Sequence, residues 1–207
     1  MGVMFNGQWQ PCNPAVTGDF VREPSLFRHW ITPNGAAGRT GDAGFTAESN
    51  RYHLFVSLAC PWSQRTLIFR ALKDLQNHVS ISLVEPELTE NGWQLSFGGD
   101  HPVKNIQYLH ELYQAASPNY NGHVTVPLLW DKKLNTIVSN DSADITRMFN
   151  DITGNDYEFY FADIQDQIDQ INDWIYQHLN HGVYLAGFAN SQTEYDKAYN
   201  RVFSALD

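Results

Sequence analysis

The sequence predicts a mixed α/β domain that passes into an all-helical segment. Three observations predict it. Between about residue 51 and residue 152, short strand-type apolar runs alternate with stretches of helical periodicity. The first of those strands leads directly into a helix across Cys60–Pro61. Beyond residue 153 the apolar positions recur only three and four apart, which is helical spacing.

Residues 1–50 are rich in Gly, Pro, Asn and Thr, and "TPNGAAGRTGDAG" reads as loop. Within this extension "FVREPSLFRHWI" is a short aromatic and basic island, suited to an irregular arm across a neighbouring domain. "RYHLFVS" alternates Tyr52, Leu54 and Val56 with His53 and Phe55, as a strand does. In "PWSQRTLIFRALKDL", Leu67, Ile68, Ala71, Leu72 and Leu75 form an apolar stripe, and Pro61 suits the first turn, where its missing N–H is no loss. "VSISLVEPEL" is a second strand that Pro86 ends or confines to an edge. "ENGWQLSFGGDHP" reads as loop and "IQYLHELYQAA" as helix. "HVTVPLLWDKK" and "LNTIVSND" are two further strands, and "SADITRMFND" is a helix. Strand, helix, strand, helix, strand, strand, helix is a thioredoxin-like order: a parallel unit with a crossover helix, then a hairpin and a helix.

The tail is helical. Ile164, Ile168, Ile171, Trp174, Ile175, His178 and Leu179 share a face, "HGVYLAGFA" interrupts, and Ser191 with Glu194 has the spacing of a capping box. The sequence is expected to stop in mid-helix at Asp207, and two helices cannot bury their apolar faces alone. The expected divisions are an arm (1–50), an α/β domain (51–152) and the start of a truncated helical domain (153–207).

The totals exclude several classes. A formal net charge of −10 over 207 residues argues against a nucleic-acid surface. No apolar run approaches the ~20 residues that span a bilayer. "MGVMFNGQWQ" lacks the regions of a signal peptide, and Asn6 stands where a myristoylation motif wants Ser or Thr. The two cysteines, Cys12 and Cys60, do not form a disulfide framework, so a reducing cytoplasm is the expected location.

Cys60 is the candidate catalytic residue. At a helix start, unpaired N–H groups and the positive dipole end favour a thiolate. The other reading is a small buried apolar residue. Arg65, one turn on, either adds positive potential or is a solvated charge. Position 63, where a dithiol oxidoreductase carries its second cysteine, is Ser63, and Cys12 lies in the arm. The chemistry is therefore monothiol: attack, mixed disulfide, and release by an external thiol, for which glutathione is the obvious candidate. A cis bond at Val126–Pro127 would expose backbone groups to an extended tripeptide, although an edge-strand proline is an equal reading. Asp141 and Ser142 open a helix and could hold the charged groups of the γ-glutamyl end, or serve as a plain N-cap. Trp93 could lie over the tripeptide, or simply be a packed aromatic.

"RYHLFVSLACPWSQRTLI", "NGW", "HVTVPLLWDKK", "TIVSNDSADITRMFN" and "GVYLAGFANSQTEYDKA", with the arm "SLFRHWIT", together resemble the glutathionyl-hydroquinone reductases, the Xi-class glutathione transferases. The resemblance runs from about Phe20 to the C-terminus. It implies a thioredoxin-like domain followed by an all-α glutathione-transferase domain in a cytoplasmic homodimer. It implies glutathione as co-substrate, aromatic glutathionyl-hydroquinones as substrates, and no metal. Cys60 would attack the glutathionyl sulfur. Trp93, Val126, Asp141 and Ser142 fall on glutathione-contacting positions, with Pro127 beside them. Tyr176 and Tyr184 are candidates for the hydroquinone pocket, with helix packing as the equal alternative. Asp141 replaces a usual Glu, His123 replaces a usual Arg, and members continue well past Asp207. Two alternatives remain. One is an omega-like thioltransferase or dehydroascorbate reductase; the other is a non-catalytic interaction module on the same fold.

Overall fold

The computed structural model describes residues 2–11, 24–39, 41, 43–96, 101–152 and 154–207. Cys12 lies outside them. The chain divides into two compact units, one ending at Phe159 and the other running from Tyr160 to Asp207.

The first unit is built on a five-stranded sheet in which β5 (Tyr52–Val56) is central, flanked by β6 (Val79–Thr89) and then β7 (Gly92–Leu95) on one side and by β9 (Leu128–Asp131) and then β10 (Thr136–Ser139) on the other. The central strand is buried at every residue. Tyr52, Leu54 and Val56 join one core cluster with Leu75, Ile145, Met148 and Phe149. Phe55 joins the other cluster, with Leu109, Leu112, Tyr113, Leu128 and Trp130. Burial on both faces is what a parallel pairing with a helical crossover requires. The crossover is α1 (Pro61–Leu72), and it delivers the chain to β6 (Val79–Thr89), which pairs parallel to β5. α2 (Leu109–Ala116) covers the second cluster. β9 (Leu128–Asp131) then pairs antiparallel to β5, β10 (Thr136–Ser139) forms a hairpin with β9, and α3 (Ser142–Met148) follows. The thioredoxin-like order is therefore present.

Several expectations for this unit need correction. Pro86 does not end β6, but it lies beyond Leu83, where pairing with β5 stops and the strand meets β7 alone. The strand runs through Pro86, and the register with β7 (Gly92–Leu95) shifts between Val84 and Leu88, so the missing N–H falls where the ladder is already irregular. Of "NGW", Asn91 is in the turn and Gly92 and Trp93 are in β7, with Trp93 opposite Leu88. The apolar stripe expected along α1 is buried only in part: Leu75 is in the core and Leu67 packs against it, but Ile68 and Leu72 are exposed while Ser63 and Thr66 are buried. The two hydroxyls are satisfied locally: Ser63 Oγ accepts from Ser57 N–H at 3.2 Å, and Thr66 Oγ1 donates to Ser63 O at 2.8 Å. Finally, the extension is not all loop. β1 (Val3–Phe5) and β2 (Gln8–Gln10) form a hairpin, with β1 also pairing to β8 (Gly122–His123), and β3 (Trp30–Thr32) runs parallel to β4 (Gly44–Thr46). The hairpin turn is Asn6–Gly7, both at positive φ (49° and 73°), a pair whose twist suits two-residue turns.

Residues 20–23 of the island lie outside the described residues, and its later part lies along the sheet edge. Arg28 forms an isolated bridge with Ser139, His29 N–H donates to Val138 O, and Asn140 N–H donates to Phe27 O.

In the second unit, α4 (Gln165–Ile175) continues into a π-helical turn, Tyr176–Asn180, closed by His181 N–H donating to Tyr176 O at 2.7 Å. The "HGVYLAGFA" stretch is not a break but carries α5 (Gly182–Gly187), and α6 (Gln192–Ser204) follows. Gly182 permits close approach, since a Cβ there would sit 2.8 Å from Val202 Cγ2. Ser191 Oγ caps α6 by accepting from Glu194 N–H. α6 closes at Ser204 rather than running to Asp207. Trp174, Tyr195, Tyr199 and Phe203 are exposed.

Candidate functional site

β5 ends at Val56, and a tight turn carries the chain to Cys60. Ser57 organises the turn: its Oγ accepts from Ala59 N–H at 3.3 Å and its carbonyl accepts from Cys60 N–H at 3.2 Å. Cys60 has an extended backbone (φ −102°, ψ 119°) and is the N-cap of α1, with Pro61 in the first turn. Its carbonyl accepts from Gln64 N–H, but its side chain does not cap the helix. Sγ instead donates to Val126 O at 3.7 Å, across 66 positions of sequence. The thiol is free and half-buried. Ser63 serves the turn through its bond from Ser57 N–H, so the position of a second thiol is occupied by a structural hydroxyl.

The contact with Val126 follows from the sheet. β5 and β9 pair Tyr52 with Asp131 and Phe55 with Leu128, so the residue pair before Leu128 arrives beside the turn after β5. That pair is Val126–Pro127, and its peptide bond is cis. Cys60 and Trp93 both lie half-buried against the core cluster that includes Val126.

Asp141 is the N-cap of α3. Its Oδ1 accepts from Ala143 N–H at 2.9 Å and Asp144 N–H at 3.1 Å, so the N-cap reading holds in this structure. Ser142 Oγ accepts from Arg65 Nη1 at 3.4 Å, which ties the starts of α3 and α1 together. Arg65 also lies over the Trp62 ring, 5.6 Å from its centroid. Burial lowers its guanidinium pKa, against the Asp141 charge, which raises it. The arm supports the same helix: Arg28 Nε and Nη2 bond both Asp144 carboxylate oxygens at 2.6 and 2.9 Å. Burial pushes the Asp144 carboxyl up from its ordinary value, and the Arg28 hydrogen bond pulls it down.

The first unit thus brings Cys60, Trp93, Val126, Pro127, Asp141 and Ser142 onto one connected set of elements. His123 lies in β8, with its Nδ1 3.4 Å from Gly2 O. Tyr176 and Tyr184 belong to the second unit, where Tyr176 stacks on His181 and Tyr184 on Phe188. Sequence reasoning missed Arg28, Thr125 and Asn140. The "SND" run was legible only as the end of a strand and the start of a helix.

The family model described as glutathione S-transferase, N-terminal domain, matches residues 59–152. The glutathionyl-hydroquinone reductase YqjG of Escherichia coli (strain K12) is 49% identical over 100% of this chain and 66% of its own length. The glutathione-bound structure of that protein, a glutathione transferase homolog, superimposes with a TM-score of 0.86 at 45% identity, over 99% of this chain and 64% of the other. A Xi class transferase from Natrialba magadii gives a TM-score of 0.84 at 40% identity, over 100% and 63%. The glutathione S-transferase omega-like 2 of Schizosaccharomyces pombe is 42% identical over 92% of this chain and 62% of its own length. The chain spans just under two thirds of the curated relatives it matches, 66% and 62% for these two.

Proposed function

The chain belongs to the Xi-class glutathione S-transferase family, and on that premise we propose that it reduces glutathionyl-hydroquinones to hydroquinones through a Cys60–glutathione mixed disulfide, with glutathione as co-substrate. The Cys60 thiolate attacks the sulfur of the glutathionyl group. A sulfur–sulfur bond forms and the sulfur–aryl bond breaks. The electron pair of the broken bond goes to the ring carbon, which takes a proton and leaves as the hydroquinone. The carbon is reduced by two electrons and the two sulfurs are oxidised. A second glutathione thiolate then attacks the glutathionyl sulfur of the mixed disulfide, releasing glutathione disulfide and the free thiolate. Trp93, Val126, Pro127, Asp141 and Ser142 hold the tripeptide, and Tyr176 and Tyr184 are assigned to the hydroquinone. The full-length form is assigned as a homodimer working in the cytoplasm.

One observation carries the reading. A free, half-buried thiol stands at the start of a helix with its sulfur against Val126 O, and the position one turn on holds a buried serine. A thiol so placed, with no second cysteine among the described residues, needs an external partner. The glutathione bound by the YqjG structure supports the choice of that partner. The test mixes protein, glutathionyl-menadiol and glutathione, and follows menadiol release. Cys60→Ala is expected to abolish it; an unchanged rate would remove Cys60 as the nucleophile. The omega-like name of the Schizosaccharomyces pombe relative favours a second reading, a thioltransferase or dehydroascorbate reductase. Turnover confined to dehydroascorbate or small mixed disulfides would select it.

A further inference from the structure

A polar cluster lies directly behind Val126. Tyr113 reaches it from α2 and is fully buried. Burial raises the phenol pKa, so the hydroxyl keeps its proton. That one proton goes to Thr125 O at 3.0 Å. The same oxygen accepts from Thr125 N–H at 3.2 Å and from Asn140 Nδ2 at 3.2 Å. The second Nδ2 proton goes to Thr125 Oγ1, also at 3.2 Å. In this orientation both Nδ2 protons of Asn140 have acceptors. The main chain of Asn140 is held as well, its N–H donating to Phe27 O at 3.1 Å and its carbonyl accepting from Ser25 Oγ at 3.4 Å.

Two consequences follow. The Thr125 carbonyl belongs to the Thr125–Val126 peptide, so holding it fixes the plane of that peptide and aims the Val126 N–H the opposite way. That N–H meets no backbone acceptor among the described residues. Meanwhile the two residues after Asn140 are Asp141 and Ser142, which start α3. One side chain therefore links the backbone beside Cys60 to the helix start that faces it. The arrangement leaves Asn140 Oδ1 buried without a partner among the described residues. A side chain serving packing alone could be apolar and avoid that loss.

We propose that Asn140 is a positioning residue for glutathione: its side-chain amide, with the Tyr113 hydroxyl, sets the spacing and orientation between the Val126 backbone and the Asp141–Ser142 helix start. The assignment rests on the glutathione reading above. It extends that reading to residues that need not touch the ligand.

The test is protection of Cys60 from iodoacetamide by increasing glutathione, in the whole chain. One experiment gives both the unprotected alkylation rate and the protection constant. Asn140→Ala and Thr125→Val are expected to weaken protection about tenfold each, a loss of the size of one or two hydrogen bonds. The unprotected rate is expected to change less than protection does, because α1 and the turn before it are untouched and only the Sγ contact with Val126 O is disturbed. Thr125→Ser, which keeps the hydroxyl, should restore protection. The double variant should lose little more than either single one. Tyr113→Phe carries the test if Asn140→Ala does not fold. Unchanged protection in Asn140→Ala and Thr125→Val, multiplicative losses in the double variant, or equal changes in rate and protection would each overturn the assignment. Wild-type protein that glutathione does not protect would instead sink the glutathione reading itself.

Discussion

Arg51→Met tests how the sheet holds the thiol beside Val126. Arg51 precedes β5 and Asp131 ends β9, the two strands whose pairing brings Val126 to Cys60. Arg51 Nε and Nη2 reach Asp131 Oδ2 at 2.9 and 2.5 Å, and Nη1 reaches Glu48 Oε1 at 2.7 Å. The Arg51 side chain is 8% exposed and that of Asp131 0%. Met is of similar length and leaves the carboxylate buried without its counter-charge. Oδ1 keeps its bonds from Lys133 N–H and Leu134 N–H, which softens the loss. Removing one partner of a buried pair costs about 3–5 kcal/mol, and the retained bonds place this variant near the lower end, about 3 kcal/mol. For a chain of this size that lowers Tm by roughly 6–12 °C. Arg51→Met/Asp131→Asn should recover part of the loss, because no charge is then stranded. Differential scanning calorimetry reads all three proteins. A change in Tm below roughly 2 °C for Arg51→Met, which is under about 1 kcal/mol, would refute the reasoning. Below the transition, Cys60 alkylation should match wild type, since the ladder between the two strands remains.

Two further predictions concern the same unit. Burial holds the His53 imidazole down to about 3, with the charges of Lys132, His101 and Arg70 adding to the effect. The unfolded chain takes up that proton near pH ~6.5 and the folded chain does not, so stability falls as pH drops from about 6.5 towards 3, by at most about 1.4 kcal/mol per unit. Urea unfolding between about pH 7 and about pH 5 should show this slope, and His53→Gln should flatten it; equal slopes would count against a neutral buried imidazole. At Gly7, φ is +73° and a Cβ would lie 1.7 Å from Pro118 O. Gly7→Ala is therefore expected to lose at least about 1 kcal/mol and to raise hydrogen exchange in the β1–β2 hairpin, and wild-type exchange there would contradict the strain.

The order of the α/β unit was legible because β5 and α1 announce themselves locally. β5 is apolar on both faces, and Cys60–Pro61 marks the turn into the helix. What was not legible depends on partners distant in sequence. β3 and β4 are three-residue strands that pair with each other, Trp30 with Gly44, and pack Trp30, Ile31 and Phe45 into the core. The burial of Ser63 and Thr66 reverses what hydrophobicity alone suggests, since their hydroxyls find acceptors and donors within the turn. The hairpin at Asn6–Gly7 was missed because the composition around that pair reads as loop. Of the site, Cys60 and the start of α3 could be placed from the sequence. The contact from Sγ to Val126 O, and the support of Thr125 by Tyr113 and Asn140, arise from strand register and close packing that no local pattern encodes.

The most direct measurement is the intact mass of the protein after exposure to glutathionyl-menadiol with no free glutathione present. The mechanism predicts one glutathionyl unit per chain, located by peptide mapping at Cys60, formed with one equivalent of menadiol and removed by added glutathione as glutathione disulfide. Menadiol release without an adduct, or an adduct that persists in Cys60→Ala, would contradict it.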